Sequence, residues 1–197
     1  MSYRPIADMW ILARAKLKGS AKYYGAYLGG FPERARSLLG ARIDEPVLHV
    51  CGGLAHLYPY AGGFGPNDKR LDIRESVQPD YLLDARLDAY PKGFRAILAD
   101  PPYSVEDADH YGTQDSYPSP TLILRNSLNA LPIGGRVGII HYALPKPPKD
   151  AKFIACVGVI CGFNNRVRVF SAFEKTAGAE ALVDEQTDIF HLEAEAA

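Results

Sequence analysis

Cysteine is scarce and scattered in this chain. Its three copies, Cys51, Cys156 and Cys161, lie within or beside apolar runs and form no Cys-x-x-Cys pair. That excludes a disulfide framework and a thiol clip for metal or redox work. Each reads instead as a small buried thiol. The histidines, His49, His56, His110, His141 and His191, are equally dispersed and show no i, i+4 pairing, so no metal site is expected. Neither sign of charge dominates. A formal net charge of −1, from 22 basic against 23 acidic side chains, excludes a strongly basic coat for nucleic acid and confines any basic surface to a local patch. Long apolar runs are missing too: no stretch reaches transmembrane length, and residues 1–5 lack the apolar segment of a secretory signal. No membrane association is expected, and the expected location is the cytoplasm, that of a host cell if the chain is virus-encoded. Finally, no Gly-x-Gly-x-x-Gly and no phosphate loop follows the first apolar strand, which argues against ordinary dinucleotide or nucleoside-triphosphate chemistry.

What is there is a succession of short apolar strands. A chain of 197 residues suits one ample core, so a single domain is expected over 1–197. Within it we read a helical extension over 1–45, a core over 46–175 and an acidic, Ala-rich tail over 176–197 whose last residues should fray. Apolar spacing predicts helices over 6–17 and 31–39, the second stopped by Gly40, with an aromatic, Gly-rich loop over 22–30 between them. Strands are expected at 47–51, 70–73, 81–84, 96–99 and 136–142, a helix at 119–131, and a closing hairpin from 153–159 and 167–173. Strands that are apolar throughout, separated by loops and helices, point to an α/β fold with a mainly parallel sheet covered on both faces.

The most informative residues are Asp100-Pro101-Pro102-Tyr103, which leave the apolar run 94–99. A carboxylate and a backbone carbonyl can accept both hydrogens of an exocyclic amine, two prolines stiffen the turn and remove competing N–H donors, and a Tyr ring offers a stacking face. Other notable residues also fall at strand ends, where ligands collect in open parallel sheets. Cys51, Gly52 and Gly53 follow the first core strand, Asp72 lies in the second and Asp84 closes the third.

This ordered set resembles the amino-methyltransferases that use S-adenosylmethionine, most closely the small, phage-type or solitary DNA adenine-N6 methyltransferases with an Asp-Pro-Pro-Tyr motif. The resemblance spans about residues 22–175 and implies a Rossmann-like methyltransferase fold with a C-terminal antiparallel hairpin. It implies S-adenosylmethionine as cofactor, held by Lys22, Tyr23 and Tyr24 of the early loop, by Cys51, Gly52 and Gly53, by Asp72 and Ile73 at the ribose, by Asp84 and Ala85 at the adenine, and by Asp100. Asp100, Pro101, Pro102 and Tyr103 take the catalytic role. The first motif departs from the family pattern, since His49-Val50-Cys51-Gly52-Gly53-Leu54 stands where an acidic or aromatic residue usually precedes Gly-x-Gly.

For the substrate, Tyr103, His110, Tyr111, Lys146 and Arg166 are the candidates. Lys149, Lys152 and Arg168 are further cations expected at phosphates, and Tyr142 and Phe163 are second-wall aromatics for which core packing is favoured. The expected partner is nucleic acid, DNA ahead of RNA. No insertion is large enough for a separate recognition domain, so specificity falls to the loops over 58–68 and 104–118, to a recognition subunit or to a homodimer. RNA or protein-glutamine acceptors, and a non-catalytic module that binds nucleic acid or a partner, remain open at this point.

Overall fold

The computed structural model describes residues 4–13, 27–57, 63–111, 117–161 and 164–177. Eight strands form one sheet in the order β1-β7-β8-β6-β5-β2-β3-β4. They are β1 Ile6–Leu12, β2 Val47–Val50, β3 Lys69–Asp72, β4 Tyr81–Leu82, β5 Ala96–Ala99, β6 Arg136–His141, β7 Ala151–Cys161 and β8 Asn164–Lys175. Only β8 runs antiparallel to its neighbours, β6 and β7; every other pairing is parallel. The described helices are α1 Phe31–Leu39, α2 Val105–Asp109 and α3 Pro120–Ala130. None is long and apolar enough to cross a membrane.

The central strands are apolar on both sides because both sides are covered. Along β5 the side chains alternate: Ala96 and Leu98 join one core with α1, while Ile97 and Ala99 join a second core with α3. Gly138 in β6 is required by close packing, since a Cβ there would lie 2.5 Å from the Phe170 ring.

The structure corrects the reading of the N-terminal segment as helical. Residues 6–12 form a parallel edge strand on β7. Its two buried residues, Trp10 and Leu12, are two apart, a strand period and not a helical one. Trp10 anchors them, with its ring 5.8 Å from Phe170 and 6.3 Å from Phe31. The second expected helix is found as α1, ending at Gly40. The hairpin is longer than expected, the strand expected over 81–84 shortens to Tyr81–Leu82, and α2 was not foreseen. Ser104 starts α2 by accepting the Asp107 N–H at 3.1 Å.

A buried charge ties α1 to the sheet. Asp68 is withdrawn from solvent, yet its carboxylate accepts from the N–H groups of Val47 at 2.9 Å and Gly65 at 2.7 Å, from His49 Nε2 at 3.1 Å and from the Arg36 guanidinium. Burial alone would raise its pKa, but the hydrogen bonds from His49 and Arg36 win and hold it below the ordinary 3.8. Burial also keeps His49 neutral, lowering its pKa, so Nε2 carries the proton that it donates. Removing one partner of such a pair leaves the other charge buried and uncompensated. Asp68→Ala is therefore expected to cost roughly 3–5 kcal/mol in urea unfolding at pH 7. Because the folded-state pKa is depressed, the wild-type contribution is full above pH 3.8 and is lost as pH falls through the lower folded value. The gap between wild type and variant should therefore close in acid.

Candidate active site

The site is assembled at the carboxyl ends of β2, β3 and β5 and in the turn that follows β4. After β2, Cys51 adopts a left-handed backbone with φ 54°. Gly52 then passes so close to the strand that a Cβ would lie 2.9 Å from the His49 carbonyl oxygen. The turn is held from β3, where Asp72 accepts the Gly53 N–H at 2.9 Å, and from β5, where the Asp100 N–H donates to the Val50 carbonyl at 3.2 Å.

Two of the expected acids are clamped in the same way, each by the arginine two residues on. Asp72 accepts the N–H and Nε of Arg74 at 3.0 and 3.2 Å. Asp84 accepts the N–H and Nε of Arg86 at 2.8 and 3.1 Å and its terminal nitrogen at 2.7 Å. The hydrogen bond from Arg86 holds Asp84 below the ordinary carboxylate pKa. The pattern Asp-x-Arg, present at 72–74 and 84–86, was the sequence signal for this device. Gly53 and Arg74 take one acceptor direction of Asp72 Oδ2 and both of Oδ1, so one direction on Oδ2 is left.

Asp100 is handled differently. Burial drives its pKa up to about 6, against the opposing effects of the Arg168 charge and of the Tyr103 hydroxyl, which donates to Asp100 Oδ1 at 2.7 Å. The three acids converge on Cys51, whose thiol is pushed up first by burial and then by Asp72, Asp100 and Asp84 together. That keeps the thiol protonated and unreactive.

Around Tyr103 the structure gathers side chains from distant parts of the chain, among them Tyr142, for which core packing was favoured but which is exposed. The ring lies 4.7 Å from Tyr142 and 5.5 Å from the edge-on ring of His141, and the Arg168 guanidinium stands 5.3 Å over it. His141 Nδ1 accepts the Ala143 N–H at 2.9 Å. Its proton is therefore on Nε2, which faces the Tyr117 hydroxyl at 3.3 Å. Burial keeps this imidazole neutral by lowering its pKa.

The remaining expectations fall variously. Tyr111 lies under the Arg74 guanidinium, 4.7 Å from its ring centre, beside the Asp72 clamp. Ile73 is exposed next to Asp72, whereas Ala85 is buried and its carbonyl is taken by Tyr90 and Asn126, each at 2.9 Å. His110, Lys146 and Arg166 are exposed. Lys22, Tyr23, Tyr24 and Phe163 lie outside the described residues.

No protein-family model matches the chain, and no curated protein matches it significantly. Solved structures do. TrmN from Thermus thermophilus superposes with a TM-score of 0.54 at 21% identity, over 77% of this chain. The yhhF protein of Escherichia coli gives 0.50 at 9% identity, over 77% of this chain and 92% of its own. The fold is that of the Rossmann-like S-adenosylmethionine-dependent methyltransferases. This methyltransferase fold accounts for the mostly parallel sheet and its antiparallel C-terminal hairpin, and the chain spans half the length of TrmN.

The raised pKa of Asp100 has a sign that can be tested without substrate. A carboxyl whose folded-state value is about 6, against an ordinary 3.8, binds its proton more tightly when folded, so its ionisation costs stability as pH rises from about 4 to 6 and beyond. Asp100→Asn removes that cost. It should stabilise the protein by about 1–3 kcal/mol at pH 8 and by almost nothing at pH 4, read from urea unfolding at the two pH values.

Proposed function

We propose that the protein transfers a methyl group from S-adenosylmethionine to the N6 amine of adenine in DNA. The observation that carries this reading is the placement of Asp72 and Asp100 at the turn after β2, where Asp72 accepts the Gly53 N–H at 2.9 Å and the Asp100 N–H donates to Val50 at 3.2 Å, with Asp100 oriented by Tyr103. The residues present fit the cofactor. The close approach of Gly52 to the strand leaves no room for a side chain, Asp72 keeps one acceptor direction for a ribose hydroxyl, and Ile73 offers exposed apolar surface beside it; Asp84, held on both oxygens by Arg86, would have to share an oxygen to accept an adenine amine. When bound, S-adenosylmethionine supplies a methyl group on a sulfonium, already activated for displacement.

The chain's own residues then position the acceptor. Tyr103 holds Asp100 Oδ1, so Oδ2 and the Pro101 carbonyl are the acceptors for the two amine hydrogens. As nitrogen gains the methyl group it must lose a proton. A carboxylate with a pKa of about 6 is matched to hold that proton near neutral pH. Activity is accordingly expected to fall as pH drops through about 6. An Asp at position 100, where Asn is more usual among glutamine and some RNA enzymes, favours DNA. Without a large recognition insertion, the target sequence is read by short loops, a second copy or a separate subunit.

Transfer of labelled methyl to unmethylated DNA, with RNA in parallel, tests the reading. Label in DNA adenine should drop by at least about 100-fold in Asp100→Ala. Label in RNA alone would move the acceptor while keeping the chemistry, and no label in either, from folded protein, would overturn the proposal.

A further inference from the structure

Among the described arginines withdrawn from solvent, nearly all close on a carboxylate. Arg36 meets Asp68, Arg70 meets Asp80, Arg74 meets Asp72, Arg86 meets Asp84 and Arg136 meets Glu174. Arg168 does not. It is half-buried, yet no described carboxylate lies within 4.0 Å of its guanidinium. Its neighbours are the face of Tyr103 at 5.3 Å, the Tyr142 hydroxyl and the more distant charge of Asp100.

Withdrawing a guanidinium from water is costly, and a carboxylate usually offsets that cost. Here the offset is a π face, a phenol and a carboxylate beyond contact distance. Arg168 comes from β8, opposite Val159 of β7, an element remote in sequence from the Asp-Pro-Pro-Tyr turn. The sheet order, with β8 beside β6 and β6 beside β5, brings its side chain over that turn. It had been expected at a phosphate, with Arg166. Arg166 is indeed exposed, but Arg168 is half-buried over the Tyr103 ring.

A guanidinium carries five N–H donors in a planar fork and no acceptor. A single phenol such as Tyr142 can accept from only part of that fork. Unspent donors therefore lie over Tyr103, the residue that holds Asp100, and within reach of the Asp100 charge. The complementary ligand is a flat base with an amine next to a ring nitrogen that accepts. In adenine, N6 has two such neighbours, N1 and N7. We propose that Arg168 is the specificity residue of this site, donating to the ring nitrogen adjacent to the amine that Asp100 holds. This rests on the methyl-transfer reading above.

The test compares wild type, Arg168→Ala and Arg168→Lys on single-stranded oligonucleotides carrying adenine, 1-deazaadenine or 7-deazaadenine, with the sugar that accepts label. Binding of S-adenosylhomocysteine is measured by titration calorimetry alongside. Arg168→Ala should lower kcat/KM on adenine about 10- to 100-fold and leave S-adenosylhomocysteine binding unchanged. One deaza analogue should cost wild type a similar factor and cost the Ala variant almost nothing more. Arg168→Lys should recover part of the activity without the analogue discrimination. Deaza penalties equal in wild type and variant, or an Ala variant within twofold of wild type, would sink this assignment and leave the methyl-transfer reading standing. Loss of cofactor binding in both variants would mark a structural role and overturn it. Absence of transfer by wild type to any nucleic acid would overturn both.

Discussion

The candidate site depends on the register of β2 against its two parallel neighbours. Val50, the last residue of β2, stands opposite Leu71 of β3 and Ala99 of β5. One residue further along each chain come Cys51, Asp72 and Asp100, which therefore emerge level with one another. A slip of one residue in either pairing would turn the acid to the other face of the sheet. Apolar burial on both faces prevents the slip, because it would drive Ile97 and Leu98, both withdrawn from solvent, into each other's cores. The hydrogen bonds from Asp100 N–H to Val50 and from Gly53 N–H to Asp72 then lock the level ends together.

The molecule manages its buried acids in contrasting ways. Asp68, beneath α1, is satisfied on all sides by Arg36, His49 and two backbone donors, and it serves architecture. Asp72 and Asp84 are each pinned by an arginine two residues on, which fixes their orientation while moderating their charge. Asp100 has no arginine in contact, only a phenol hydroxyl and a guanidinium at a distance, and its pKa rises to about 6. Asp100 is thus less compensated than Asp68, Asp72 and Asp84, and burial dominates its titration.

Much of the core was legible because short apolar strands bounded by turn residues leave little choice of element. The strands around Val50, Leu98 and Ile139 and the helices α1 and α3 lie close to where their patterns place them. The N-terminal segment was not legible. Ile6, Met9 and Ile11 are exposed, so most of its apolar residues do not report the buried face, and their spacing imitates a helix. The true signal, Trp10 and Leu12 two apart, acquires meaning only once Phe31 and Phe170 are there to receive the indole.

The available chemistry is already written in the order of residues: a stiff turn that opens on Asp and closes on Tyr, carboxylates in order after successive strands, and arginines spaced to clamp two of them. These are local properties, set by residue type and by separations of a few positions. Which groups meet is settled by the folded sheet. His141 and Tyr142 from β6 and its exit, Tyr117 ahead of α3 and Arg168 from β8 surround Tyr103, although they lie 14 to 65 positions away along the chain. The physical reason is the order of the strands. Insertion of β8 between β6 and β7 is a global outcome of burying two apolar faces at once, and no local pattern encodes it.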